Sequence, residues 1–131
     1  MEITYPTINE IIECNKYVLF IIKAKRADRF KVLSYSPIIE TIKTCEDFKG
    51  DIYDKAVVLM KGLVNKHPFA SGNRRTAFLI TKKFILSNGY DFCIKDEPKQ
   101  AKIMIGIRES YYTHDEIKGW LKNGKIKDFK R

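Results

Sequence analysis

Helix start and stop signals follow one another along nearly the whole chain, and that succession confines it to an all-α architecture. Thr7-Ile8-Asn9-Glu10 is a capping box with Pro6 just ahead, and it predicts a helix to about Lys25. Ser36-Pro37 sets a hydroxyl cap before a proline at the first helical position, predicting a helix to about Cys45. Asp51 caps a stripe formed by Ile52, Tyr53, Ala56, Val57, Met60, Leu63 and Val64, and His67 ends that stripe. A further helix is expected from about Asn73 to Ser87, where Asn88-Gly89 stops it. Its apolar residues run nearly all round, which predicts a central, packed helix. Asp96-Glu97-Pro98 opens a shorter helix. Thr113-His114-Asp115-Glu116 is a second capping box, for a last helix carrying Ile117, Trp120 and Leu121. Only residues 30–35 (FKVLSY) and 90–94 (YDFCI) alternate as strands do, enough for one short hairpin.

The length of 131 residues suits a single domain, 1–131, able to bury a core without disulfide or metal staples. Apolar residues at 44% exclude intrinsic disorder. The net charge of +9 predicts an anionic partner, whether nucleic acid, nucleotide, anionic surface or acidic protein. That charge is unevenly placed. Residues 22–31 and 119–131 each carry five basic groups and one acid, while 56–90 holds six basic residues and no carboxylate. Cys14, Cys45 and Cys93 lie far apart with no zinc spacing, and are expected as free thiols in a reducing cytosol. The apolar run 17–22 (YVLFII), bracketed by Lys16 and Lys23, is far too short for a membrane span. Neither Met1-Glu2 nor Lys23-Ala24-Lys25-Arg26 has the character of a signal peptide. The expectation is a cytoplasmic protein with no membrane partner.

The unusual chemistry lies in His67-Pro68-Phe69-Ala70-Ser71-Gly72-Asn73-Arg74-Arg75-Thr76. A glycine leads into a helix N-terminus, where backbone N–H groups lack partners and the macrodipole favours an anion. Arg74 and Arg75 occupy the first turn, where that dipole disfavours cations by up to about 1 kcal/mol each. With no acid nearby, an anion in the turn would reconcile them, and guanidinium forks match phosphate oxygens. His67 suits proton transfer at neutral pH. Taken singly, each feature has a plainer reading. His67 could cap or pack, the arginines could be a solvated pair, and Ser71 or Asn73 could be an N-cap. Taken together they describe phosphoryl or nucleotidyl transfer to a hydroxyl.

The segment HPFASGNRRTAF resembles the signature of the Fic/Doc (Fido) family, which runs roughly H-x-F-x-(D/E)-G-N-(G/K)-R. It is most similar to the Doc (death-on-curing) toxin branch, close to H-P-F-x-D-G-N-K-R-T-A. Flanking segments agree. Tyr53–Lys66 precedes the motif as the family's penultimate helix does, and Phe84-Ile85-Leu86-Ser87-Asn88-Gly89-Tyr90 resembles its FL-x-x-NGY. Thr7–Val18 is similar to the family's first helix and Ser36–Ile42 to the short helix before the motif, so the resemblance spans roughly 4–107.

The resemblance implies a compact Fido helical bundle of about six helices with a short β-hairpin flap. It implies ATP or a related nucleotide as co-substrate, bound by Ser71, Gly72, Asn73, Arg74 and Arg75, with His67 as general base. Arg75 would clamp phosphate as the second catalytic residue, and Phe69 would anchor the loop in the core. Arg29, Phe30, Lys31, Val32 and Leu33 would form the flap that aligns a target segment by strand pairing. Arg74 stands where AMP-transferring members have glycine and Doc-like members lysine, and Phe78 replaces a further arginine; both departures point to a Doc-like kinase. The family's acidic Mg²⁺ ligand is Ser71 here, a poor substitute for a carboxylate, so Mg²⁺ binding is weakened. Ser36-Pro37-Ile38-Ile39-Glu40-Thr41 meets only the first part of the family's self-inhibitory (S/T)-x-x-x-E-(G/N) motif, which implies a separate antitoxin protein as brake. The implied target is a Ser or Thr of a cytoplasmic protein, in the family typically a translation factor. The alternative is a degenerate Fido domain that binds nucleotide or a partner without transfer. Nucleic-acid binding through 22–31 and the basic tail 119–131 is a third expectation, weaker than either.

Overall fold

Six helices form among the described residues: α1 (Ile8–Ile22), α2 (Ser36–Asp47), α3 (Ile52–Lys66), α4 (Asn73–Ser87), α5 (Lys99–Arg108) and α6 (His114–Asn123). The structure, a computed structural model, describes residues 2–22 and 30–130. Both predicted capping boxes form, and the Asp51 cap proves to be a third. Thr7 and Glu10, Asp51 and Asp54, and Thr113 and Glu116 each exchange backbone-to-side-chain hydrogen bonds of 2.9–3.1 Å. Ser36 does not cap α2. It is the first helical residue, Tyr35 takes the cap position, and no side chain bonds there.

The most enclosed helix is α3 rather than α4. Its residues Ala56, Val57, Leu59 and Met60 are fully buried, and it packs against α2, α4, α5 and α6. Although α4 is apolar nearly all round, it leaves Leu86 half exposed and turns Lys82 and Lys83 outward. One buried cluster joins Ile11 of α1, Ile38 of α2, Phe78 and Ile85 of α4, Ile107 of α5 and Trp120 of α6 around α3. The helix faces account for the fold's stability, because burying one such aliphatic side chain contributes about 1.5–3 kcal/mol. Lys55 carries a charge into this core. Its Nζ donates to the carbonyls of Cys45, Glu46 and Phe48 at 2.7–3.2 Å, closing the C-terminal end of α2.

The short hairpin does not form among the described residues. Residues 90–94 run without a strand partner, with Tyr53 donating through its hydroxyl to Asp91 O at 2.7 Å and Phe92 edge-on against Phe78. The other alternating segment contributes a single antiparallel bridge, Val32 to Phe69. The basic tail packs back on the domain. It begins inside α6, and beyond Gly124 it folds back, with Tyr112 Oη donating to Lys127 O, Lys127 paired to Glu116, and Phe129 against Tyr111. No described helix is long and apolar enough to cross a membrane.

Candidate active site

The loop between α3 and α4 is built from its ends inward. His67 closes α3 in the left-handed region, φ 51° and ψ 58°, a conformation that costs a non-glycine residue about 1–2 kcal/mol. Gly72 opens α4 at φ 77°, and a Cβ there would meet Asn15 Nδ2 at 3.1 Å and side-chain carbons of Val18 and Leu19 at 3.3 Å. Glycine is therefore required for both its torsion and its close approach to α1. Between the two, Pro68 and Phe69 are buried, and Phe69 sits in the main core as expected of an anchor.

Asn73 holds the loop in this shape. Its Oδ1 accepts from Phe69 N at 3.0 Å, and its Nδ2 donates to Phe69 O at 2.8 Å and to His67 Nδ1 at 3.2 Å. The two bonds to Phe69 decide which end of the amide faces His67. An NH₂ group can only donate, so Nδ1 of His67 accepts, and the neutral ring carries its proton on Nε2. Neither Ser71 nor Asn73 caps α4 with its side chain; Gly72 takes the cap position. From α1, the buried Asn15 donates through Nδ2 to Ser71 O at 2.9 Å and Thr76 Oγ1 at 3.1 Å, fixing the loop to a second helix.

Ser71, Gly72, Asn73, Arg74 and Arg75 all line one cleft of about 530 Å³. Phe78, Met104 and Leu19 give it an apolar floor, and Asp96, Glu97 and Gln100 come from the start of α5. Two helix N-termini thus open onto the same space, each with positive potential. Arg74 is half-buried, and its guanidinium is held below its ordinary pKa by burial first and by neighbouring Arg108 second. Among the described residues, no ion pair engages Arg74, Arg75 or Arg108. Among the described residues, the α4 end of the cleft is accordingly cationic and without an ion-paired acid. His67 is exposed and does not line this cleft; it stands at the loop's opposite end, joined to it through Asn73.

The proposed flap residues meet the same loop. Ala70 N donates to Lys31 O at 3.0 Å, and Leu33 N donates to Pro68 O at 2.8 Å. Phe30 lies 6.4 Å from the Phe69 ring. Among the described residues, Val32 therefore pairs with the motif loop. Arg29 lies outside the described residues. Glu40 pairs with Lys66 at 3.1 Å on the protein surface and does not line the cleft.

Three contributors escape a reading of the motif alone. Asn15 is one, signalled only as a polar residue between Ile11 and Val18 on the buried stripe of α1. Asp96 and Glu97 are the others, carboxylates brought to the cleft from beyond the acid-free stretch.

These residues do not fit a magnesium ion. The motif position offers a hydroxyl, Ser71, beside Arg74 and Arg75, and Mg²⁺ is ordinarily held by carboxylates together with phosphate. Glu97 is paired to Lys99 at 3.5 Å, and no three His, Cys, Asp or Glu side chains among the described residues gather as a metal site.

No curated protein matches the chain. The family model of the Fic/DOC family matches residues 9–85, from the second residue of α1 almost to the end of α4. That match covers more than half of the chain and contains the whole loop described above, so the protein belongs to the Fic/DOC family.

Proposed function

We propose that this Fic/DOC protein is a Doc-like, toxin-type transferase. It would move a phosphoryl or nucleotidyl group from ATP or a related nucleoside triphosphate to a Ser or Thr hydroxyl of a cytoplasmic protein. The observation that carries the reading is the Asn73 clamp, which ties a histidine to a cationic helix N-terminus through one rigid loop. The nucleotide's phosphates lie against the α4 N–H groups, Arg74 and Arg75, and its base lies over Phe78 and Met104.

The step balances as follows. The target hydroxyl loses its proton to His67 Nε2 and its oxygen bonds to phosphorus. Transfer of the γ-phosphate breaks the bond to a departing nucleoside diphosphate; transfer of the nucleotidyl group releases pyrophosphate. Arg75 and the α4 amides hold the charge that develops on the leaving oxygens. For Nε2 to receive a proton, the ring must carry its own on Nδ1 and give up the Asn73 bond. One hydrogen bond of about 1 kcal/mol makes that form roughly fivefold less populated. A hydroxyl reaching Nε2 repays the difference.

A second reading is favoured by Ser71 and by the resting tautomer of His67: a Fido domain that binds nucleotide or a partner protein without transfer. The two separate on incubation with cell lysate and ATP labelled at the α- or the γ-phosphate. Label from γ alone, lost in His67→Ala and Arg75→Ala, is expected of the kinase; label from α identifies nucleotidyl transfer. Binding of ATP with no label passed to any protein refutes the transferase. A translation factor is the target class we expect. A separate antitoxin protein is the brake we expect, a reading supported by Glu40 lying away from the cleft. Nucleic-acid binding is the lesser proposal, and requires affinity that falls steeply with salt.

A further inference from the structure

The disagreement between the residues at the α4 end of the cleft and a magnesium ion has a consequence for how nucleotide binds. We infer that this cleft takes the polyphosphate of a nucleotide without a divalent cation, with Arg74 and Arg75 in the place that Mg²⁺ and its carboxylate share elsewhere. The inference rests on the nucleotide reading of the site given above and adds to it the ionic form of the ligand.

Charge decides the matter. A magnesium ion beside Ser71 would sit next to two guanidiniums and a helix N-terminus, all of its own sign, and among the described residues the carboxylates lining the cleft, Asp96 and Glu97, come from the segment ahead of α5. The free nucleotide is the more highly charged anion, and it meets that cationic end without a metal between them. Arg74 is held below its ordinary pKa by burial first and by the like charge of Arg108 second, and an anion beside it offsets both. The carboxylates that do reach the cleft stand on its other wall. Glu97 is paired to Lys99 at 3.5 Å, and Asp96 lies three residues ahead of the first residue of α5.

The test is calorimetric titration of the intact protein with ATP, once in EDTA and once in excess MgCl₂. The expected result is an affinity in EDTA at least equal to that in magnesium, with Arg74→Gln weakening the EDTA value about 10- to 30-fold. In Ser71→Asp, which returns a carboxylate to the loop, magnesium should raise affinity about tenfold or more. A wild-type affinity more than about threefold higher in magnesium overturns the inference and leaves the nucleotide reading standing. If that gain disappears in Asp96→Asn/Glu97→Gln, the far wall holds the metal and the inference is likewise overturned. Absence of ATP binding in either buffer overturns the nucleotide reading itself, and the inference with it.

Discussion

Replacing Asn73 with alanine should damage the loop far more than an average polar-to-alanine change on a helix. The side chain is 6% exposed and makes three hydrogen bonds, of 3.0, 2.8 and 3.2 Å. Two of them satisfy both backbone groups of Phe69, which is itself 1% exposed. Alanine leaves the Phe69 N–H buried without a partner, at about 1–3 kcal/mol, and its carbonyl adds a smaller penalty. The sum is about 3 kcal/mol, a large share of the 5–15 kcal/mol typical of a whole domain. Urea unfolding should show it directly, and the melting temperature should fall by about 10 °C. The perturbation also has a local signature. With the donor gone, nothing holds the proton of His67 on Nε2, and nitrogen shifts of the ring should move from one tautomer toward a mixture. Asn73→Asp separates the parts, keeping an acceptor for Phe69 N while losing both donors. A cost below about 1 kcal/mol in both variants, with the His67 tautomer unchanged, would refute the clamp.

Three further outcomes follow from the same geometry. His67→Gly relieves a left-handed torsion, so stability should rise by about 0.5–1 kcal/mol while labelling is abolished; a loss of stability in denaturant titration would contradict the strain. Gly72→Ala combines that torsional penalty with contacts at 3.1–3.3 Å, and should cost about 1–3 kcal/mol and weaken ATP binding, checked by the same titrations. Asp54 accepts from His114 Nε2 at 2.9 Å, Lys118 Nζ at 3.0 Å and Asp51 N at 3.0 Å, and these bonds, that to His114 foremost, hold its carboxyl below the ordinary 3.8. Since the folded value is the lower, its contribution is complete above the unfolded pKa and is lost as pH falls below about 5 toward the folded value. Stability measured from pH 6 down to about 2 should therefore decline with acid in the wild type and decline less steeply in Asp54→Asn; parallel curves would refute the assignment.

The elements that the chain announces locally are the ones that appear. Capping boxes at Thr7, Asp51 and Thr113 need only neighbours three residues away, so their helices are legible without knowledge of the fold. The motif from His67 to Arg75 is equally local, its loop stands between α3 and α4 where the spacing puts it, and Phe69, which the resemblance implied as an anchor, is buried. Residues 30–35 show where local reading ends. Their alternation describes an extended segment, but pairing depends on which edge is within reach, and the reachable edge is the motif loop. The tail shows the same limit, since its five basic residues say nothing of the Tyr111 and Glu116 side chains that fold it back.

The sequence by itself determined six helices, the place of the loop and the absence of an acid within the motif. Tertiary structure alone decided that the Asn73 amide closes on Phe69 and turns its donor to His67, that Asn15 reaches across from α1, and that α5 supplies the cleft's other wall. The physical reason is range. A cap or a turn is satisfied within four residues of chain, whereas a buried amide finds its partners only when separate helices have packed.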